Sequence, residues 1–252
     1  MRRAESKTAS KLVKMGKALF DAPAAPVPFT RDEQADALLN DIKRHPHAFV
    51  VACLMDRQVK AERAWLVPHR LSERLGGFEF ARLARLTQKQ VYELMTKPTP
   101  LHRLGRTVSG PLHAALRLIR DRYDGDASQI WRERPSSALV VYRFLEFAGI
   151  GQKIATMAAN ILARDFKIPM ADYYSIDISV DVHVRRVFSR LGLVEQGCPV
   201  ESIIYRARSL YPEFPGLLDL PCWHVGRKWC RPQVPLCSAC PLRHGCPTAD
   251  QA

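Results

Sequence analysis

Lys153 stands two residues after Gly151 in the segment FAGIGQK. The pattern around it places it in the first turn of a helix. There the positive end of the helix dipole disfavours an ammonium and favours the neutral amine that a nucleophile requires. A carboxylate to serve it comes from VDVHVRRV, where Asp181 precedes a helical face formed by Val184, Val187, Phe188 and Leu191. That position is an N-cap; Asp181 reads either as a cap and nothing more or as a carboxylate aimed across a groove at Lys153. Asp177, a few residues earlier, is a rival carboxylate. A second chemistry lies near the C-terminus. Cys230, Cys237, Cys240 and Cys246 read C-x6-C-x2-C-x5-C. Four thiols in so short a loop suit a metal centre better than a pair of disulfides, and the chain opens with no secretory signal. Zinc and an iron–sulfur centre both take four thiolates. The other cysteines, Cys53, Cys198 and Cys222, are scattered and read as small buried hydrophobes.

These residues need rigid elements to hold them. Apolar positions recur at helical spacing in HAFVVACLMDRQVKAERAWLV, FARLAR, QKQVYELM, PLHAALRLIRDRY and SALVVYRFLEF. GG at 76–77, KPTP at 97–100 and YDGD at 123–126 punctuate them. No run alternates as a strand would, so the spacing predicts an all-α protein. Thr30 with Glu33 has capping-box spacing before RDEQADALLNDIKRH. Between a helix ending at Phe147 and one starting near Gln152, Gly149-Ile150-Gly151 permits a tight hairpin with positive φ. Such a link leaves backbone N–H groups uncovered at a helix start, where a DNA phosphate can bind, and packs Ile150 between the helices. The N-terminal stretch, basic and then rich in alanine and proline, reads as a flexible leader over 1–28.

The 252 residues carry 38 Lys and Arg against 25 Asp and Glu, a formal charge of +13. That excess suits a polyanionic partner, nucleic acid first. A composition 47% hydrophobic and 25% charged is ordinary for a globular chain. No apolar run approaches membrane-spanning length.

FAGIGQK, VDVHVRRV and the cysteine loop, in this order, resemble the endonuclease III family of helix-hairpin-helix DNA glycosylases, whose pattern is L-P-G-V-G-x-K, V-D-x-H and C-x6-C-x2-C-x5-C. The resemblance covers about residues 30–247. It implies two helical domains flanking a DNA-binding groove: a six-helix domain over 48–165 ending in the hairpin, and a cluster domain made of 29–47 plus 166–252. It implies that Cys230, Cys237, Cys240 and Cys246 ligate a [4Fe–4S] cluster that staples a basic DNA-contacting loop, with zinc as the alternative. It implies base excision with strand nicking by β-elimination, with Lys153 as nucleophile and Asp181 as its carboxylate, on oxidised pyrimidines or related lesions. DNA contacts fall to Gly149, Ile150 and Gly151 of the hairpin, to Arg57, to Gln58 as a wedge at a helix start, and to Arg227 and Lys228. The partner is duplex DNA with a damaged base or abasic site, bound by a monomer in a bacterial or archaeal cytoplasm, with no membrane contact.

The chain departs from the family pattern at two places. Ala148 replaces the proline before the hairpin. The interval between Lys153 and Asp181 is longer than usual, the excess lying in ARDFKIPMADYYSIDIS. Tyr173 and Tyr174 in that excess either stack on a flipped base or belong to the core. His183 reads as structural. An abasic-site lyase, or a damage-binding protein of the same fold, would share these residues.

Overall fold

A computed structural model describes residues 3–250, with side chains from residue 7 onward; residues 1–2 and 251–252 lie outside the described residues. The described residues form thirteen α-helices and no strand. In chain order they are α1 (Arg3–Asp21), α2 (Glu33–Asn40), α3 (Pro46–Met55), α4 (Ala61–Trp65), α5 (Val67–Leu75), α6 (Phe80–Leu83) and α7 (Gln88–Thr96). Then come α8 (Gly105–Arg122), α9 (Ser137–Leu145), α10 (Gln152–Arg164), α11 (Val182–Arg190), α12 (Val200–Leu210) and α13 (Asp219–Lys228). Short 3-10 turns lie at Ala127–Ile130, Pro215–Leu218 and Cys237–Ala239.

Two apolar cores organise these helices. The larger draws on α3, α5, α7, α8, α9 and α10, and every residue of α3 is buried. The smaller gathers Val184, Val187, Phe188, Ile203, Ala207, Cys222 and Val225 from α11, α12 and α13, with Leu242 from the cysteine loop. Helix α10 carries buried residues along most of its length and runs beside α9, α3 and α1.

The N-terminal stretch differs from its expected flexibility. Residues 3–21 are helix α1, and Ala9 and Leu12 are buried in the smaller core. Burying Leu12 completely contributes roughly 2 kcal/mol, while the neighbouring lysines of α1 keep their access to solvent. A Cβ on Gly16 would lie 2.4 Å from the Leu217 carbonyl, so glycine lets α1 lie directly on the Pro215–Leu218 turn. It is therefore α1 that joins the cluster side, while α2 packs on α5 and α3. The start of α2 also moves from the expected capping box. Its cap is Asp32, accepting from Ala35 N–H at 3.0 Å, and Thr30 instead donates to Asp36. The apolar run HAFVVACLM ends as a helix at Met55, so α4 begins only at Ala61.

Candidate active site

The hairpin between α9 and α10 is tight: Phe147 N–H donates to the Phe144 carbonyl and Ile150 N–H to that of Phe147, at 3.2 and 2.9 Å. Its two glycines do different work. Gly149 has φ +91°, and a Cβ there would meet Arg57 Nη1 at 2.9 Å. Gly151 is extended, at φ −99° and ψ 178°, with open space where a Cβ would sit. The expected positive φ therefore belongs to Gly149 alone. Ile150 is buried in the larger core. Gly151 caps α10 without a side-chain acceptor, and Gly151, Gln152 and Lys153 are exposed. The first N–H groups of α10 thus face solvent with no carbonyl of their own helix to bind, a ready anion site.

Lys153 Nζ donates to Asp56 Oδ2 at 2.8 Å. The lysine side chain is 42% exposed and that of Asp56 only 11%. Asp56 closes α3, its own N–H bound to the Cys53 carbonyl at 3.1 Å. Asp181 is the N-cap of α11, and its Oδ1 accepts from His183 N–H and Val184 N–H, both at 2.8 Å. The hydrogen bond to Lys153 therefore comes from Asp56, not from Asp181. A third carboxylate, Asp219 at the start of α13, stands within electrostatic reach of both Lys153 and Asp181. Burial pushes its pKa up to about 6, aided by the Asp181 charge and opposed by Arg164, a hydrogen bond with Ser179, and Lys153. Carboxylates at the ends of three helices, α3, α11 and α13, thus gather in the neighbourhood of one lysine.

Asp177 is excluded from this work. It is buried, bound in both oxygens by Arg208 at 2.7 and 2.8 Å, with Gln152 Nε2 at 3.5 Å. Tyr173 is a core aromatic: its ring meets those of Phe20 and Phe214 at 5.4 and 5.2 Å, which rules out a free stacking face. Tyr174 is exposed. Gln58 lies in the loop between α3 and α4 rather than at a helix start. It adopts left-handed φ of 54° and accepts from Arg103 Nη2 at 2.9 Å. Arg57, beside it, lies against the hairpin. Arg227 bridges from α13 to Glu62 of α4 at 2.7 Å and covers the Trp223 ring at 4.3 Å. Lys228 lies over Trp229 at 4.8 Å. His183 binds Arg186 through Nδ1 at 2.9 Å, and its Cβ faces Gly226, where any side chain would collide at 2.7 Å.

The cysteine loop is held by guanidinium groups of α11. Arg190 donates to Cys230 Sγ at 3.5 Å and to the carbonyls of Arg231 and Pro232 at 2.6 Å. Arg186 Nε reaches the Cys230 carbonyl at 2.6 Å, and Thr8 of α1 donates to that of Gly245 at 3.0 Å. The four thiols are half-buried and close enough for their charges to interact: burial first, then its sister cysteines, raises the pKa of Cys240. Among the described residues no three His, Cys, Asp or Glu side chains are gathered as a metal site. The donor set is nonetheless four thiols and no oxygen, the composition that soft metals and iron–sulfur centres take. Of the scattered cysteines, Cys53 and Cys222 are buried, while Cys198 is only half-buried.

Asp56, Asp219 and Arg190 are absent from the sequence expectations. A faint signal existed for Asp56, a carboxylate placed directly at the end of an apolar run. Nothing local marks Asp219 or Arg190.

No family model matches the chain. Endonuclease III of Synechocystis is 26% identical over 213 residues, covering 81% of this chain and 82% of that protein. Endonuclease III of Thermotoga maritima is 32% identical over 102 residues, 40% of this chain and 43% of that protein. Among solved structures, a trapped endonuclease III–DNA covalent intermediate superposes with TM-score 0.65 at 19% identity, covering 100% of this chain and 99% of that one. A thermostable thymine-DNA glycosylase does so with TM-score 0.65 at 14% identity, with 98% of each chain covered. Among the described residues no helix is long and apolar enough to cross a membrane.

Proposed function

We infer that this chain, which belongs to the endonuclease III family of helix-hairpin-helix proteins, is a DNA base-excision glycosylase with abasic-site lyase activity. One observation carries the reading. An exposed lysine sits in the first turn of α10, directly after an uncapped hairpin, with carboxylates around it. The hairpin N–H groups seat a DNA phosphate, and that anchors the sugar beside Lys153. The damaged nucleotide leaves the stack at a cost of a few kcal/mol, least for a base already mispaired or damaged. Gln58, which accepts a hydrogen bond from Arg103, would fill the vacated space.

Lys153 then attacks C1′ as a neutral amine, and the glycosidic bond breaks to release the base. Asp181 stabilises the positive charge developing on the sugar. The sugar ring opens to an imine on Lys153. Loss of the C2′ proton breaks the C3′–O bond and nicks the strand 3′ to the lesion. Water hydrolyses the imine and restores the amine. Cys230, Cys237, Cys240 and Cys246 would hold a [4Fe–4S] cluster whose contribution is to fold a basic loop against DNA. The substrates fitting this reading are duplexes with oxidised pyrimidines or abasic sites, bound by a monomer in the cytoplasm.

Borohydride trapping tests it. Duplexes carrying an abasic site, thymine glycol, 8-oxoguanine or a G·T mismatch are incubated with the protein and the reductant. The expected result is a covalent adduct on abasic and thymine-glycol DNA that vanishes in Lys153→Gln. No adduct on any duplex overturns the reading.

A further inference from the structure

Two charges in this site stand at the wrong ends of their own helices. Lys153 lies at the start of α10, where the dipole is positive. Asp56 lies at the end of α3, where it is negative, on a helix with no exposed residue, and its side chain is 11% exposed. Alone, each placement is unfavourable, and a half-buried carboxylate at a helix C-terminus has little to recommend it. Together they meet at 2.8 Å across sequence positions 97 apart. The pairing cancels both misplacements, and it sets the lysine Nζ against α3 rather than letting it range over solvent.

We propose that Asp56 is a positioning residue for Lys153, a second carboxylate beside Asp181 that fixes the amine over the hairpin before DNA binds. The proposal rests on the lyase reading above. The one hydrogen bond of the Asp56 side chain goes to the lysine, so it acts through Lys153 and not on the sugar. The division of labour follows from geometry. Asp181 gives Oδ1 to two backbone N–H groups and caps its own helix, whereas Asp56 gives Oδ2 to the ammonium. The charged groups facing Lys153 are Asp56 from α3 and Asp219 from α13. Asp181 at the N-cap of α11 and Arg164 of α10 lie within electrostatic reach of Asp219, the Cys53 thiol of α3 lies within reach of Lys153, and Arg57 lies against the neighbouring hairpin.

The test is cyanoborohydride trapping on abasic duplex under single-turnover conditions, with wild type, Asp56→Asn and Asp56→Glu. Loss of the fixed position lowers the trapping rate of Asp56→Asn roughly tenfold, while affinity for a duplex with an uncleavable abasic analogue stays within about twofold of wild type. Asp56→Glu, which keeps a carboxylate, recovers most of the rate. If Asp56→Asn does not fold, Asp56→Ser, smaller and still polar, takes its place in the same series. A trapping rate that does not change, or a rate loss matched by a fall in melting temperature and not recovered in Asp56→Glu, overturns the proposal and leaves Asp56 a packing residue. A wild type that never traps removes the lyase reading and this proposal together.

Discussion

The seam around Lys153 and the cysteine loop at 230–246 are held in place by opposite means. The seam is built on helices whose apolar faces are buried: α3 entirely, α10 over most of its length, α11 and α13 through Val184, Val187 and Val225. Burial of that kind fixes side chains without outside help. The cysteine loop has one 3-10 turn and one fully buried apolar side chain, Leu242, and leans on guanidinium groups of α11. So short a segment gains too little from burial to offset its ordering entropy. The helix that carries the lysine is therefore positioned by packing, and the loop calls for a cross-link among its thiols. The difference teaches where damage to this protein stays local and where it spreads.

Five substitutions probe that contrast. The largest effect falls on chemistry alone. Lys153→Gln removes all borohydride adduct and lowers the thermal unfolding midpoint by only a few degrees, since the side chain is half in solvent although its loss leaves Asp56 without a partner. A fall of many degrees would mean that the seam depends on its ion pair. Next is Cys240→Ser. Limited proteolysis is expected to nick between Cys230 and Cys246, and broad visible absorbance is lost, while α10 stays protected from hydrogen exchange. Exchange rising along α10 to the same extent would break the separation of the two regions.

The glycines give a smaller, paired effect. Gly149→Ala costs about 1–2 kcal/mol in urea unfolding, because φ is +91° there and a Cβ would press on Arg57. Gly151→Ala changes stability by less than about 0.5 kcal/mol, with extended backbone and nothing within 4 Å of the new carbon. Equal costs would show that both positions need glycine for backbone strain. The smallest effect is pH-dependent. The folded state raises the Asp219 carboxyl from 3.8 to about 6, so it binds that proton more tightly than the unfolded chain does. Stability from this group is full below pH 3.8 and is lost as pH rises through 6. Asp219→Asn is therefore expected to gain about 1 kcal/mol over wild type at pH 8, a value discounted for relaxation, and nothing at pH 4. An equal gain at both pH values would point to packing instead of charge.

Much of this was legible in one dimension. Helical periodicity specified an all-α chain, because a 3.6-residue repeat needs only local apolar spacing. The hairpin and the cysteine loop were visible for the same reason: each function is written within a few adjacent residues. The legible part failed where a local rule met a stronger distant one. The N-terminal stretch is rich in lysine, yet Ala9 and Leu12 find a core whose other buried members begin at residue 178. Tyr173 and Tyr174 are adjacent in sequence, but only Tyr173 meets Phe20 and Phe214.

By itself the sequence determined the helices, the turn before Lys153, the cap at Asp181 and the four-thiol set, since each depends on neighbours within one or two turns. Tertiary structure alone decided which charge faces which. Asp56 reaches Lys153 across 97 positions and Glu62 reaches Arg227 across 165, while Asp177, the nearer rival in sequence, is taken by Arg208. A side-chain period says which face a residue occupies; only the packed arrangement of helices says what that face meets.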